Sequence, residues 1–100
     1  MSVLDSRIRV LALAILSGVE KASFRYLKER LKTTDGNLSV HMQKLCDAGY
    51  ARMEKVFEGK KPKTYFHITE NGRKALLEYI EELNRSMSSP ENIGKNEDKA

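Results

Sequence analysis

Polar and small side chains share one side of the segment 36–47. On a helical wheel of roughly 100° per residue, Leu38, Met42 and Leu45 define one apolar face. The side chains that point away from it are Gly36, Val40, Gln43, Lys44 and Asp47, with Asn37, Ser39 and His41 on the flanks. Amides can pair bidentately with adenine, valine can contact a thymine methyl, and lysine can reach guanine or a phosphate. This face is therefore a candidate surface for the DNA major groove, and an ordinary solvated face is the alternative.

The start of the same segment suits a phosphate. Thr34 is the predicted N-cap and Gly49 the predicted stop, which gives a helix of about 14 residues. Because Gly36 has no side chain near the positive end of this helix, a phosphate can approach the backbone closely there. Thr34 and Gly36 therefore join the predicted DNA-binding residues.

A second short helix precedes this segment. Ser23 is a good N-cap, and Phe24, Leu27 and Leu31 then repeat at helical spacing. The polar break 32–35 separates the two helices, so the stretch 24–45 has the pattern of a helix-turn-helix. In such a unit the second helix can enter the major groove.

A change from helical to strand periodicity follows Gly49. Segments 50–57 and 63–68 are rich in aromatic and β-branched residues, and the cluster 58–62 between them predicts a turn, so a β-hairpin is expected. Alternation predicts that Thr64, Phe66 and Ile68 face the core, and that Tyr65 and His67 face outward. The basic residues at its tip are Lys60, Lys61 and Lys63. A basic hairpin directly after a recognition helix predicts the wing of a winged helix.

The first and last helices carry more apolar surface than one core requires. The first is predicted over 4–17, capped by Asp5 or Ser6, and almost lacks a polar face in its second half. It is either a central core helix or one that also meets a partner subunit. The last is predicted from the N-cap Thr69 to about residue 87, with a stripe in steps of four and three. The predicted homodimer interface comprises Val3, Leu4, Ile8, Leu76, Tyr79, Ile80, Leu83 and Met87. The alternative is that the last helix packs both of its apolar rows on the hairpin.

Length and charge bound the organisation. A chain of 100 residues with 40% hydrophobic content suits one core, predicted over 1–87, followed by a polar, disordered tail over 88–100. The net charge of +4 is uneven: residues 1–74 carry 15 Lys/Arg against 8 Asp/Glu, and residues 75–100 carry 3 against 6. Charge alone supports a nucleic acid partner only weakly.

Several function classes are disfavoured. The single Cys46 excludes an internal disulfide and fits a cytoplasmic setting, and no Cys/His cluster has the spacing of a metal site. Cys46 itself is expected to be a small residue at the edge of the core. The longest apolar run, 10–16, is too short to cross a membrane. No phosphate-binding loop or nucleophile motif occurs, so neither an enzyme nor a bound cofactor is expected.

The runs DGNLSVHMQKLCDAGY (35–50) and GKKPKTYFHITENGR (59–73) resemble the small stand-alone winged helix-turn-helix transcriptional regulators related to the MarR and ArsR families. The resemblance extends over about residues 4–85. It implies an α+β, mainly helical fold of three helices, a hairpin wing and a fourth helix, in a homodimer that binds double-stranded DNA. It further implies DNA contacts from Asn37, Ser39, His41 and Lys44, and from the wing residues Lys60, Lys61 and Lys63. The metal sites of ArsR-type sensors are not implied, because clustered ligands are missing.

The functional expectation is a DNA-binding transcription regulator. Two recognition helices about 34 Å apart would enter successive major grooves of a roughly palindromic operator, and repression by promoter occlusion is the simplest mechanism. The alternative is a winged helix that serves only protein association, against which the polar, basic recognition face argues. The sequence identifies no small-molecule effector.

Overall fold

Helices account for most of the chain that the computed structural model describes, which is residues 2–88. The elements are a 3₁₀ turn Val3–Asp5, α1 Arg7–Ser17, β1 Ala22–Ser23, α2 Phe24–Leu31, α3 Asp35–Asp47, β2 Ala51–Glu58, β3 Lys61–Ile68 and α4 Glu70–Ser88. The predicted mainly helical α+β fold is confirmed. The predicted tail lies outside the described residues, except for Ser88 at the end of α4.

The chain enters α1 through a separate turn, so the predicted helix start at residue 4 is wrong. The Ser2 hydroxyl accepts a hydrogen bond from the Leu4 amide, while the Asp5 carboxylate accepts one from the Ser2 amide at 3.1 Å. This reciprocal capping box closes a 3₁₀ turn. Ser6 then caps α1 by accepting from the Arg9 amide at 3.3 Å. Of the two predicted caps, Ser6 is the one that starts α1.

Helix α1 lies at the centre of the core. It packs against α2, α3, α4 and β3, and its residues Leu13 and Leu16 are fully buried. The interpretation of α1 as a central core helix is therefore confirmed. Leu4, in the 3₁₀ turn, is also buried within this core, whereas Val3 and Ile8 are partly buried against it.

The sheet has three antiparallel strands in the order β1-β3-β2, and β1 was not predicted. It is only two residues long, with Ala22 opposite Phe66, which is too short to show alternation. The predicted turn 58–62 is too long, since β2 and β3 extend to a two-residue turn, Gly59-Lys60, with Gly59 at φ +66°. A glycine at positive φ suits such a hairpin turn. Pro62 lies inside β3, beyond the stretch that β1 covers, where its missing N–H costs no ladder bond on the open edge.

Of the three hairpin residues predicted to face the core, Phe66 is buried whereas Thr64 and Ile68 are half-buried, and the outer face is less solvated than expected. Phe66 is 1% exposed, which confirms its core position. Tyr65 and His67 are half-buried because neighbouring side chains cover them. The Lys21 Nζ lies 4.4 Å from the centre of the Tyr65 ring, and His67 Nε2 lies 2.8 Å from a carboxylate oxygen of Glu54.

The start of α4 is fixed to the loop that follows α3. The Thr69 hydroxyl donates to the Gly49 carbonyl at 2.6 Å and accepts from the Gly72 amide at 3.0 Å, which makes Thr69 the N-cap as predicted. The Thr69 amide donates to the Tyr50 carbonyl at 3.1 Å. A Cβ atom on Gly72 would lie only 2.1 Å from the Tyr50 oxygen. A side chain at position 72 would therefore force the two backbones apart.

We expect Gly72→Ala to lower the free energy of unfolding by about 1–3 kcal/mol, the usual cost of overpacking, as measured by denaturant titration. Gly36→Ala is the matched control, because a Cβ there meets nothing within 4 Å. It should leave stability within about 1 kcal/mol of wild type, in the stabilising direction. Equal stability of the Gly72 variant and the wild type would contradict the close contact.

Candidate nucleic-acid interface

Helix α3 has one buried face and one free face. Leu38, Met42 and Leu45 are 0–1% exposed, as the wheel predicted. On the other side Val40 is 55% exposed. The exposed positions that were predicted to contact DNA from this helix and its cap are Thr34, Gly36, Asn37, Ser39, Val40, Gln43 and Lys44. These positions therefore form one continuous exposed face, while His41 is half-buried at its flank.

The N-terminus of α3 is well ordered by its own side chains. The Thr34 hydroxyl accepts from the Asn37 amide at 3.2 Å, and the Asn37 side chain donates to the Thr33 hydroxyl at 2.7 Å. Lys28 of α2 pairs with Asp35 at 2.9 Å. Because the lysine compensates the only carboxylate in the first turn of α3, this end of the helix keeps its positive character towards a phosphate. Lys28 is not among the residues that the sequence singled out as functional.

Gln43 lies where α3 approaches the hairpin. Its amide nitrogen donates to Asp47 at 2.8 Å, one turn further along α3. Ser39 and Gln43 line one side of a cleft, and Lys55 and Thr64 from the hairpin line the other. Lys55 is opposite Thr64 in the strand register and is exposed. Sequence reasoning missed Lys55, although alternation from Met53 would have placed it on the side of the hairpin that faces α3.

The three lysines of the wing differ in how free their charges are. Lys60 and Lys61 are exposed at the tip. Lys63 instead pairs with Glu58 at 3.2 Å, which raises the pKa of Lys63. The Tyr65 hydroxyl also donates to Glu58 at 2.6 Å, and this bond, followed by Lys63, lowers the pKa of that carboxyl. Of these three lysines, Lys60 and Lys61 are therefore the two whose charge no carboxylate of the described residues compensates.

His41 contacts the body of the domain as well as solvent. Arg9 of α1 donates through an Nη atom to His41 Nδ1 at 2.9 Å and through Nε to the Val3 carbonyl. Arg9 is 8% exposed. Burial lowers the pKa of His41, and the nearby cations Arg9 and Lys44 lower it further. Sequence reasoning missed this contact, because the two residues are far apart along the chain.

The described residues offer no support for a reactive cysteine, a metal site or a membrane span. Cys46 packs at the edge of the core as expected, and burial raises the pKa of its thiol, which disfavours a reactive thiolate. Within residues 2–88 no group of three or more His, Cys, Asp or Glu side chains could hold a metal ion. None of the described helices is long and apolar enough to cross a membrane.

The arrangement as a whole defines a protein class. Helices α2 and α3 form a helix-turn-helix whose turn begins at Lys32, in the left-handed conformation at φ 52°. A basic antiparallel hairpin follows and flanks the exposed face of α3. This combination is a winged helix-turn-helix.

Comparisons with known proteins agree with this class. The chain belongs to the winged helix DNA-binding domain family, whose sequence model matches residues 8–87. An uncharacterized protein of Methanocaldococcus jannaschii is 42% identical over 83 residues, which are 83% of this chain and 90% of that protein. The resemblance to small winged-helix regulators is thus confirmed, and the chain is a DNA-binding protein and not an enzyme.

Solved structures share the fold. The transcriptional regulator homologue from Pyrococcus horikoshii superposes with a TM-score of 0.79 at 26% identity, over 85% of this chain and 84% of that one. Bacillus subtilis PadR, solved in complex with operator DNA, superposes with a TM-score of 0.67 at 17% identity, over 75% of this chain and 48% of that one. At the latter identity the likeness concerns the fold alone.

Proposed function

We propose that this protein is a sequence-specific transcription regulator that binds a roughly palindromic operator as a homodimer. Helix α3 enters the major groove, and the hairpin wing lies on the backbone or in the minor groove. The observation that carries the proposal is the exposed, polar and basic face of α3, next to a wing with two exposed, unpaired lysines at its tip.

The exposed face of α3 is chemically suited to base edges. Asn37 and Gln43 are exposed and carry side-chain amides. In the free protein Asn37 bonds Thr33, in the turn before α3, and Gln43 bonds Asp47, at the end of α3. Exchange of these exposed local bonds for bonds to adenine has a small net cost, because both states are hydrogen-bonded. Val40 supplies apolar contact for a thymine methyl. Base reading is therefore assigned to the middle of this face.

The wing and the N-terminus of α3 are suited to phosphates. Lys60 and Lys61 supply charge at the tip, and Lys55 adds charge on the side facing α3. The amides at Gly36 are open to an approaching group, since nothing lies within 4 Å of the position of a Cβ atom. These contacts position the protein on DNA without reading its sequence.

Dimerisation is supported by the second half of α4. Leu76 is buried in the domain, but every residue from 77 to 87 is exposed. This half of the helix therefore does not pack its apolar rows on the hairpin of its own domain. The large apolar side chains left exposed there are Leu77, Tyr79, Ile80, Leu83 and Met87. A second copy related by a two-fold axis would cover this stripe.

The two-fold axis determines the form of the operator. Two copies of α3 on one face of the duplex would lie one helical turn apart, at about 34 Å, and read inverted half-sites. Binding over a promoter would block access to it, so repression is the simplest outcome.

Of the interface residues predicted from the sequence, Leu4 and Leu76 belong to the core of the domain, and we assign the subunit contact to the exposed part of α4.

A module for protein association is the second candidate function. Phe57 favours it, because this side chain is 75% exposed on the wing opposite Pro62. Within α3, all of which is described, Val40 is the one exposed large apolar residue, and this argues against a protein partner on the recognition face. The two functions are distinguished by selecting DNA fragments from a random pool at physiological salt and measuring how their affinity depends on salt. Salt-dependent binding supports the DNA-binding function.

We expect Lys44→Ala and Lys61→Ala each to weaken DNA binding and to flatten the slope of log affinity against log salt by about one unit. Lys63→Ala is the matched comparison, because Glu58 already compensates that charge, and its slope should change less. Titrations at several salt concentrations measure all three. Unchanged slopes for Lys44→Ala and Lys61→Ala would remove these residues from the interface.

We expect Gln43→Ala to alter sequence preference rather than general affinity, because an amide in the major groove discriminates between bases by about 1–3 kcal/mol. Selection from a randomised operator pool with wild type and variant measures this effect. A uniform loss of affinity across all operators would show that Gln43 contacts the backbone.

We expect Leu83→Glu to convert the dimer to a folded monomer, measured by sedimentation velocity, because the substitution places a charge in the apolar stripe. Arg85→Glu is the matched control, since Arg85 lies about 200° from Leu83 around the helix, is exposed, and should leave the dimer intact. An intact Leu83→Glu dimer would refute this interface.

A further inference from the structure

Arg9 is the one buried charged side chain among the described residues, and it is held without a carboxylate partner. Its hydrogen bonds run to the Val3 carbonyl and to His41 Nδ1. Removing a guanidinium from water is costly unless its protons are bonded, and here the Val3 carbonyl and the His41 imidazole each accept one of them. A cation that a salt bridge does not neutralise therefore lies directly beneath the flank of the recognition helix.

This contact determines the form of the imidazole. A guanidinium only donates, so His41 Nδ1 must accept with its lone pair, and in a neutral ring the proton must then reside on Nε2. Protonation of Nδ1 would break the bond and place a second charge beside Arg9. The charged groups that act on the ring are Arg9 from α1 and Lys44 from α3, both cations, and together with burial they lower the pKa of His41.

The opposite edge of the ring is free. The hydrogen bonds of the described residues give Nε2 no acceptor, and no buried side-chain nitrogen or oxygen among them lacks a partner. Nε2–H therefore reaches solvent, at the flank of the exposed face of α3. The surrounding positive charge favours an anionic acceptor over a base edge at this point.

We propose that Arg9 is a positioning residue that fixes His41 as the neutral Nε2–H tautomer, so that this N–H donates to a phosphate oxygen of the DNA backbone. The DNA part of this inference rests on the proposed function, whereas the tautomer does not. The contact differs in kind from the lysine contacts, because it adds a directed hydrogen bond without adding charge.

The tautomer is tested on the free, ¹⁵N-labelled full chain by long-range proton–nitrogen spectra, which report which ring nitrogen carries the proton. The chain has two histidines, so His67→Gln assigns the signals. We expect His41 to be protonated on Nε2 alone at pH 7.5, and to titrate below the ordinary value of about 6.5. Arg9→Met should give mixed tautomers and a higher pKa, while Arg9→Lys, which keeps a cationic donor, should resemble wild type. An Nδ1–H or mixed tautomer in the wild type would overturn the proposal, even if Arg9→Met fails to fold.

The phosphate contact is tested by DNA binding. His41→Phe keeps a ring but has no N–H, and should weaken binding about ten-fold on all operators, with an unchanged salt slope. His41→Gln, which retains a donor, should lose less. In the wild type, an affinity that strengthens from pH 7.5 to 6 with a slope steeper by about one unit would show a protonated imidazole and refute the neutral donor. Failure of the wild type to bind DNA would reject the proposed function, and the spectra of the free protein would still decide the tautomer.

Discussion

The burial of one face of α3 is the constraint on which the rest of the structure depends. Leu38, Met42 and Leu45 are excluded from water against the central helix α1, and at about 25 cal/mol per Å² such burial outweighs any single polar contact in the domain. Because a helix is rigid, fixing one face fixes the other. The neighbouring elements refine this placement: α2 through the Lys28–Asp35 pair, and the hairpin through the cleft at Gln43.

Two carboxylates around the proposed DNA interface are compensated by neighbouring lysines. Asp35 in the first turn of α3 and Glu58 beside the hairpin turn are each paired with a lysine, so neither opposes an incoming anion in full. Arg9 has the opposite arrangement, a buried cation whose partners are neutral acceptors. The proposed DNA-binding surface therefore has, beneath its exposed lysines, one further cation that no carboxylate neutralises.

The sequence predicted the elements that depend on local chemistry. The faces of α3 follow from periodicity, and the caps Ser23, Thr34 and Thr69 follow from residue type. What it missed depends on contacts between distant residues. Strand β1 exists only because β3 offers it an edge, and Arg9 meets His41 across 32 positions of chain. The hairpin turn was predicted too long because Pro62 suggests a break, although an unpaired edge tolerates it. In a single chain, the only sign of a subunit contact is apolar surface that the domain itself leaves uncovered.

The close backbone contact at Gly72 holds the start of α4 against the loop after α3. A tilt of α4 would therefore move this loop and α3 together with it. From Gly72 to residue 87 the helix extends about 22 Å, so a tilt of about 10° between the two proposed subunits would displace the opposite end by about 4 Å. That displacement exceeds the 3.4 Å rise of one base pair. In the proposed dimer, the crossing angle of the two α4 helices would therefore set the register of both recognition helices on DNA. Any ligand or partner that alters this angle would control operator binding without touching the surface that reads it.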